Sequence, residues 1–208
     1  MSRVKPGLAD LSLEHALRAE GFAAIAGVDE AGRGPLAGPV SAAAVILDPA
    51  RPIAGLADSK TMKAARREAL FALILKQATV AFCLIPAARI DETDIRKASL
   101  EAMARALAAL PRAPDFALID GKDVPPGLAC KARAVIGGDG ISASIAAASI
   151  VAKVMRDRLM ARADGAFPGF DFARHAGYGT AAHRAAITRL GPSPIHRLSF
   201  APFRNGTE

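Results

Sequence analysis

The spacing of apolar residues along the chain predicts an α/β protein. Short apolar runs predict β-strands at residues 23–29, 40–47, 78–85, 116–120 and 131–136. Apolar residues at the helical spacing i, i+3, i+4 and i+7 predict helices at residues 11–20, 62–76, 91–110, 142–162 and 181–190. The predicted order is α-β-β-α-β-α-β-β-α, followed by mostly helical and irregular chain.

Glycine, proline and capping residues mark where these elements end. Gly21 follows the first helix, Thr61 is placed to cap the second, and Pro111 ends the third. Beyond Asp164 the chain is richer in glycine and proline. We therefore predict one domain over residues 1–208, in which a C-terminal appendage from about residue 165 packs on the α/β body.

The composition indicates a core of small side chains. Of the 208 residues, 51% are hydrophobic but only 5% are aromatic, and a chain of this length buries enough surface to fold without disulfides. Cys83 and Cys130 lack CxxC spacing and a paired histidine motif. We expect incidental thiols, and neither a disulfide nor a zinc site.

Charge points to a polyanionic partner. Lysine and arginine number 27 against 20 acidic residues, which gives a net charge of +7 and favours binding of nucleic acid. No uncharged window reaches the roughly 18 to 20 residues needed to span a bilayer, and the first 20 residues are unlike a secretion signal. We expect a cytoplasmic protein with no membrane partner.

Acidic residues follow three predicted strands. Asp29 and Glu30 end the first strand, Asp120 ends the fourth, and Asp139 follows the fifth. Strand ends converge at one edge of an α/β sheet, where several carboxylates repel one another unless protons or cations neutralise them. Their oxygens suit Mg²⁺ or Mn²⁺, and two such ions can support hydrolysis of a phosphodiester. The alternative is that each acid caps a helix or forms a turn.

The adjacency of Asp29 and Glu30 is a difficulty for this interpretation. Neighbours on a regular strand point to opposite faces. Both reach one site only if the pleat ends there, which the following Gly32 and Gly34 make plausible.

A glycine-rich turn at Gly32-Arg33-Gly34 is a candidate binding element. It lacks the features of the known nucleotide-binding fingerprints, but its glycines allow backbone amides to approach a ligand and Arg33 offers donors to phosphate or sugar. The alternative is a tight hairpin with a solvated arginine. Tyr178, the one tyrosine, lies between two glycines and either stacks on a sugar or base or packs internally.

Other polar residues have structural interpretations. Lys153 and Asp157 share a helix face with Ser149 and predict a structural ion pair. His183 and His196 lack ligand spacing and predict satisfied structural histidines. A basic stretch forms either a phosphate track or a solvated helix face; it comprises Lys60, Lys63, Arg66 and Arg67.

Taken together, these segments resemble the ribonuclease HII family, in that family's order from about residue 23 to residue 203. The blocks that carry the resemblance are Gly27-Val-Asp-Glu-Ala-Gly-Arg-Gly-Pro-Leu-Ala-Gly-Pro-Val40, Asp58-Ser-Lys60, Ile119-Asp-Gly121, Ser144-Ile-Ala-Ala-Ala-Ser-Ile-Val-Ala-Lys-Val-Met-Arg-Asp157, Gly177-Tyr-Gly-Thr180 and His196-Arg-Leu-Ser-Phe200.

The resemblance implies a ribonuclease H-like fold with a mixed five-stranded sheet flanked by helices and a mostly helical C-terminal appendage. It implies an endonuclease that cuts RNA in RNA/DNA hybrids and at single ribonucleotides in duplex DNA, leaving a 5′-phosphate and a 3′-hydroxyl. The ligands of Mg²⁺ or Mn²⁺ would be Asp29, Glu30, Asp120 and Asp139. The substrate-binding residues would be Gly32, Arg33, Gly34, Ser59, Lys60 and Tyr178, with the glycine turn sensing the ribose 2′-hydroxyl and Tyr178 stacking on the neighbouring deoxyribose.

Two other functions are compatible with parts of the pattern. One is a nucleic-acid binder without catalysis, and the other is a metal-dependent nuclease of the same fold that cuts DNA lacking ribonucleotides. The intact acid set argues against the first, and the glycine turn with Tyr178 argues against the second. We expect a monomer, and no protein partner is evident in the sequence.

Overall fold

A mixed five-stranded sheet lies at the centre of the molecule, in a computed structural model that describes residues 8–203. The strands are β1 (Ile25–Ala31), β2 (Val40–Leu47), β3 (Ala78–Ile85), β4 (Phe116–Asp120) and β5 (Lys131–Val135). The helices are α1 (Ser12–Ala19), α2 (Ala64–Gln77), α3 (Ala87–Glu92), α4 (Ile95–Ala108), α5 (Ala143–Ala166), α6 (Phe172–His175) and α7 (Ala181–Leu190).

The sheet order is β3-β2-β1-β4-β5, so β1 occupies the centre. β1 pairs with β2, and β2 with β3, in antiparallel fashion, whereas β1 pairs with β4, and β4 with β5, in parallel. The carboxyl ends of β1, β4 and β5 therefore lie at the same edge of the sheet. The predicted fold class is confirmed.

Helices cover both faces of the sheet. On one face, Val28 and its neighbours pack against Met103 and Leu107 of α4. On the other face, small side chains let α5 cross β1 very closely. A Cβ at Gly27 would lie 2.1 Å from the carbonyl carbon of Ser144, so only glycine permits this crossing. The many alanine side chains thus allow α5 to pack close to the sheet.

The C-terminal segment packs beside α5. Phe170 and Phe172 join a buried cluster with Leu36 and Met160, and Ala37 forms an isolated antiparallel bridge with His196. The segment that follows the glycine turn is thereby held between the body of the protein and its C-terminal region. None of the helices in residues 8–203 is long and apolar enough to cross a membrane.

Several predicted element boundaries are wrong in detail. Thr61 does not cap α2, because it belongs to a short 3₁₀ turn and Lys63 precedes the helix without a side-chain cap. The helix predicted at 91–110 is divided into α3 and α4, because Asp94 lies in extended backbone and its carboxylate accepts from the amide of Lys97. Helix α5 is longer than predicted, β1 extends to Ala31, and α6 was not predicted.

Candidate active site

Two aspartates lie on neighbouring strands where the pairing between the two central parallel strands ends. The last residues of β1 and β4 that pair with each other are Val28 and Ile119, and Asp29 and Asp120 follow them directly. Asp29 is only 1% exposed. The predicted approach of these strand ends is present in the structure.

Glu30 is placed differently from the sequence-based expectation. The pleat does not end at Asp29, because β1 remains paired with β2 as far as Ala31 and Ser41. Glu30 therefore points to the opposite face from Asp29. It lines a small cavity of about 110 Å³ on the α4 side, together with Asp120, Arg33 and Arg96. Asp29 and Glu30 therefore lie on opposite faces of the sheet at this edge.

Asp139 lies on the 3₁₀ turn Gly138–Gly140 that follows β5. The turn is fixed to Asp120, whose Oδ1 accepts a hydrogen bond of 2.7 Å from the amide of Gly138. The ammonium of Lys60 lies 3.5 Å from Oδ2 of Asp139. The fourth acid is thus placed next to the third by a backbone contact.

Burial and mutual repulsion raise the pKa values of three of these acids. Burial is the main cause for Asp29, whose pKa lies well above its usual range, and the charges of Glu30 and Asp120 add to it. Burial also raises the pKa of Glu30, against the opposing effect of Arg33. The pKa of Asp139 is raised by burial and then by Asp120. Each of these three acids therefore holds its proton more tightly than an exposed carboxyl group does.

Lys60 faces this acid cluster at Asp139, as Arg33 does at Glu30. Burial lowers the pKa of its ammonium, but the negative charges of four nearby acids, with Asp29 and then Asp139 the largest, together outweigh that effect and raise it. Its side chain is largely exposed, so it can move aside or contact a ligand.

The donor set fits a hard divalent cation. Oδ2 of Asp29 is buried and has no hydrogen-bond partner among the described residues, which is costly unless a cation or a proton satisfies it. Carboxylate oxygens are the ligands that Mg²⁺ and Mn²⁺ prefer. Within residues 8–203, however, no three acidic, histidine or cysteine side chains already converge on one point. The side chains must therefore rotate to share an ion.

The glycine turn begins directly after β1. Gly32 has φ of +90°, a conformation that favours glycine, and a Cβ there would lie 2.0 Å from Nε of Arg156. The Arg33 side chain is exposed and lies 3.3 Å from Oε1 of Glu30. The turn thus presents Arg33 beside the acid cluster.

Tyr178 lies across a cavity from the turn. The phenol is 44% exposed, and a Cβ on Gly34 would lie 3.9 Å from its Cε1. The cavity has a volume of about 220 Å³ and includes Glu30 in its wall. Its lining consists of Glu30, Ala31, Gly32, Arg33, Gly34, Ser59, Lys60, Lys153 and Tyr178. Every predicted substrate-binding residue lines this one cavity.

The basic stretch near α2 is only partly available to a ligand. The guanidinium of Arg67 donates to the carbonyls of Ser59 and Met62, and that of Arg66 donates to Gly55. Ser59 itself is buried and shares a 2.8 Å hydrogen bond with Ser149. The predicted pair of Lys153 and Asp157 is present at 2.6 Å.

Two buried arginines beneath the site have a role that was not predicted from the sequence. Arg156 and Arg197 are fully buried, and each donates to three backbone carbonyls. Burial lowers the pKa of Arg197 to about 9, which leaves it charged at neutral pH. The sequence carries no local signal for either role, because the acceptors lie more than a hundred residues away in the chain, except for Ala176.

Known proteins of one family are similar to this chain in sequence. The sequence model of the family described as Ribonuclease HII matches residues 26–203. A Ribonuclease HII of Sinorhizobium fredii is 58% identical over 206 residues, which cover 99% of this chain and 89% of that protein.

Solved structures are similar as well. The ribonuclease H2 of Pyrococcus horikoshii matches with a TM-score of 0.74 and 26% identity, over 88% of this chain and 96% of that one. The RNase HII in a complex with PCNA from Archaeoglobus fulgidus matches with a TM-score of 0.69 and 29% identity, over 80% and 88%. The chain therefore belongs to the ribonuclease HII family and is a ribonuclease H endonuclease.

Proposed function

We propose that the protein hydrolyses the RNA strand of RNA/DNA hybrids and cuts on the 5′ side of single ribonucleotides embedded in duplex DNA. The products carry 5′-phosphate and 3′-hydroxyl ends, and the reaction removes misincorporated ribonucleotides. One observation carries this proposal: Glu30 is shared by the acid cluster and by the cavity between the glycine turn and Tyr178. A bond next to a sugar held in that cavity therefore lies beside the acids.

The acids would hold the metal. Asp29, Glu30, Asp120 and Asp139 supply hard oxygen donors for Mg²⁺ or Mn²⁺, and the unpartnered Oδ2 of Asp29 is the strongest support for such a ligand. When bound, the metal supplies an activated water and stabilises the leaving oxygen.

The cavity would hold the sugars on both sides of the scissile bond. The glycine turn lets backbone donors approach the ribose 2′-hydroxyl, the group that distinguishes RNA from DNA. Tyr178 is exposed for stacking on the next deoxyribose. Lys60 lies beside Asp139 and would offset the charge of the phosphate. Ser59 forms part of the cavity wall and would help to hold the bound nucleic-acid strand there.

The test compares cleavage of three labelled duplexes: one with a single ribonucleotide, one RNA/DNA hybrid and one of DNA alone. We expect cutting of the first two in Mg²⁺ or Mn²⁺, none in chelator and none of the DNA control. Asp120→Asn should abolish cutting, whereas the matched control Asp171→Asn, an exposed residue in the C-terminal region, should not.

Other results would support other functions. Salt-sensitive binding without cleavage by folded protein would indicate a nucleic-acid binder. Cutting of the DNA control would indicate a nuclease without ribose selectivity. The absence of a protein partner and the monomeric state stay predictions, which chromatography with light scattering can test.

A further inference from the structure

Arg197 is a buried cation without an ion pair. Its side chain is fully buried, and no carboxylate within residues 8–203 lies within ion-pair distance of it. Burying an unpaired charge destabilises a protein unless strong hydrogen bonds compensate it. Arg197 obtains its compensation from backbone carbonyls and from the ring of Phe200, whose centroid lies 5.2 Å from the guanidinium carbon.

These carbonyls lie at the two ends of the segment from Gly32 to Gly38, which starts with the glycine turn. The guanidinium donates to the carbonyl of Gly32 at 2.6 Å and to that of Arg33 at 2.9 Å, while Nε donates to Gly38 at 2.9 Å. The backbone amide of Arg197 donates to Leu36 at 2.8 Å. The residue therefore holds the segment from Gly32 to Gly38 in one shape.

The direction of the carbonyls fixes the direction of two amides. In a trans peptide the C=O and the N–H point to opposite sides. The carbonyls of Gly32 and Arg33 point inward to Arg197, so the amides of Arg33 and Gly34 point the other way. Neither amide has an acceptor within the part of the chain that the structure describes. Both residues line the cavity shared with Tyr178 and Glu30.

We propose that Arg197 is a positioning residue for ribose recognition: by binding the carbonyls of Gly32 and Arg33, it directs the amides of Arg33 and Gly34 toward the 2′-oxygen. This inference rests on the proposed function. A planar guanidinium fork suits this task because it reaches two adjacent carbonyls at once, which a lysine ammonium does not do in the same geometry.

The test measures the preference for a ribonucleotide in binding. Fluorescence anisotropy compares a duplex with one ribonucleotide to the same duplex of DNA alone, in an Asp29→Asn background that prevents cutting. With Arg197→Lys we expect the preference to fall about tenfold, the equivalent of one charge-assisted hydrogen bond. In the background with Asp29 intact, kcat on the single ribonucleotide should fall while the Mn²⁺ dependence of the melting temperature is unchanged.

A matched control separates positioning from general destabilisation. The carboxylate of Asp115 accepts from the amides of Ala23 and Ala24 near the start of β1, away from the acid-bearing strand ends. Asp115→Ala should lower the melting temperature without changing the preference. An unchanged preference in folded Arg197→Lys, or an equal loss in Asp115→Ala, overturns the inference and leaves the proposed function standing.

A second measurement needs no substitution at Arg197. In hydrogen exchange of the wild-type protein in chelator, the amides of Arg33 and Gly34 should exchange rapidly when free and become protected by the ribonucleotide duplex but not by the DNA duplex. Equal protection by both duplexes, or none by either, overturns the inference. If the wild-type protein cuts neither ribonucleotide substrate in the metal-dependent assay, the proposed function itself fails, and this inference with it.

Discussion

The Nε2 atoms of His183 and His196 lie 3.1 Å apart in the buried C-terminal cluster. Their hydrogen bonds assign the tautomers. The amide of Ser193 donates to Nδ1 of His196, so the proton of His196 is on Nε2. His183 donates from Nδ1 to the carbonyl of Tyr178 and accepts from His196 at Nε2. Both rings must be neutral to satisfy this chain of hydrogen bonds.

This pair predicts a loss of stability in mild acid. Burial lowers the pKa of His196 from 6.5 to about 4, and burial lowers that of His183 too. Between pH 6.5 and 4 the unfolded state therefore binds more protons, so the folded state loses stability as the pH falls. For His196 the loss reaches roughly 3 kcal/mol at pH 4.

Urea unfolding of the wild type and of His196→Gln at pH 7, 6, 5 and 4 checks this prediction. The difference between the two free energies of unfolding should shrink as the pH falls, because only the wild type has the histidine to protonate. The acid cluster titrates in both proteins and cancels in this difference. Parallel curves would contradict the prediction.

We expect Asp29 to lower the stability of the metal-free protein and to be required for cleavage. Its charged form is disfavoured by burial and by Glu30 and Asp120, so Asp29→Asn removes an unfavourable charge and keeps the oxygen that accepts from the amide of Glu30. In metal-free buffer at pH 7 the melting temperature should rise by several degrees, while cleavage falls by several orders of magnitude. A lower melting temperature than that of the Asp171→Asn control would show that the charge is not unfavourable.

Lys60 is expected to weaken metal binding while it helps to bind the substrate. Its ammonium lies 3.5 Å from Asp139 and repels a divalent cation there. Lys60→Gln should therefore bind Mn²⁺ several-fold more tightly and bind duplex more weakly, most clearly at low salt. Calorimetry with Mn²⁺ measures the first effect and anisotropy the second. Lys97→Gln, an exposed residue paired with Asp94, should leave both unchanged.

The sequence was sufficient to place the strands because strand signals are local, whereas the mixed five-stranded sheet was expected from the family resemblance. The apolar runs at Val40–Leu47 and Ala78–Ile85 coincide with β2 and β3, and the parallel arrangement brought Asp29 and Asp120 together as expected. The division of the helix at 91–110 was missed because residues 91–94, Asp-Glu-Thr-Asp, are all polar and so offer no apolar spacing that would separate the start of a helix from a break.

Non-local contacts account for what the sequence could not supply at the site. The face on which Glu30 lies depends on how far β1 pairs with β2, and that pairing ends only at Ala31. The hydrogen bonds of Arg197 reach Gly32 and Arg33, more than 160 residues earlier in the chain. No spacing rule links such positions, whereas the four acids could be picked out as candidates because they stand at or after the ends of three apolar runs that predict strands.

Two glycines should respond to alanine in opposite directions. At Gly27 a Cβ would meet the backbone of Ser144 and Ile145 at 2.1 and 2.2 Å, and backbone cannot move aside without shifting α5 off the sheet. Gly27→Ala should therefore destabilise the fold by about 3 kcal/mol or more. At Gly165, within α5, no atom lies within 4 Å of the added carbon, so Gly165→Ala should stabilise by about 0.5–1 kcal/mol. Urea unfolding of both variants checks the signs. A neutral Gly27→Ala would mean that α5 does not cross β1 as closely as the structure places it.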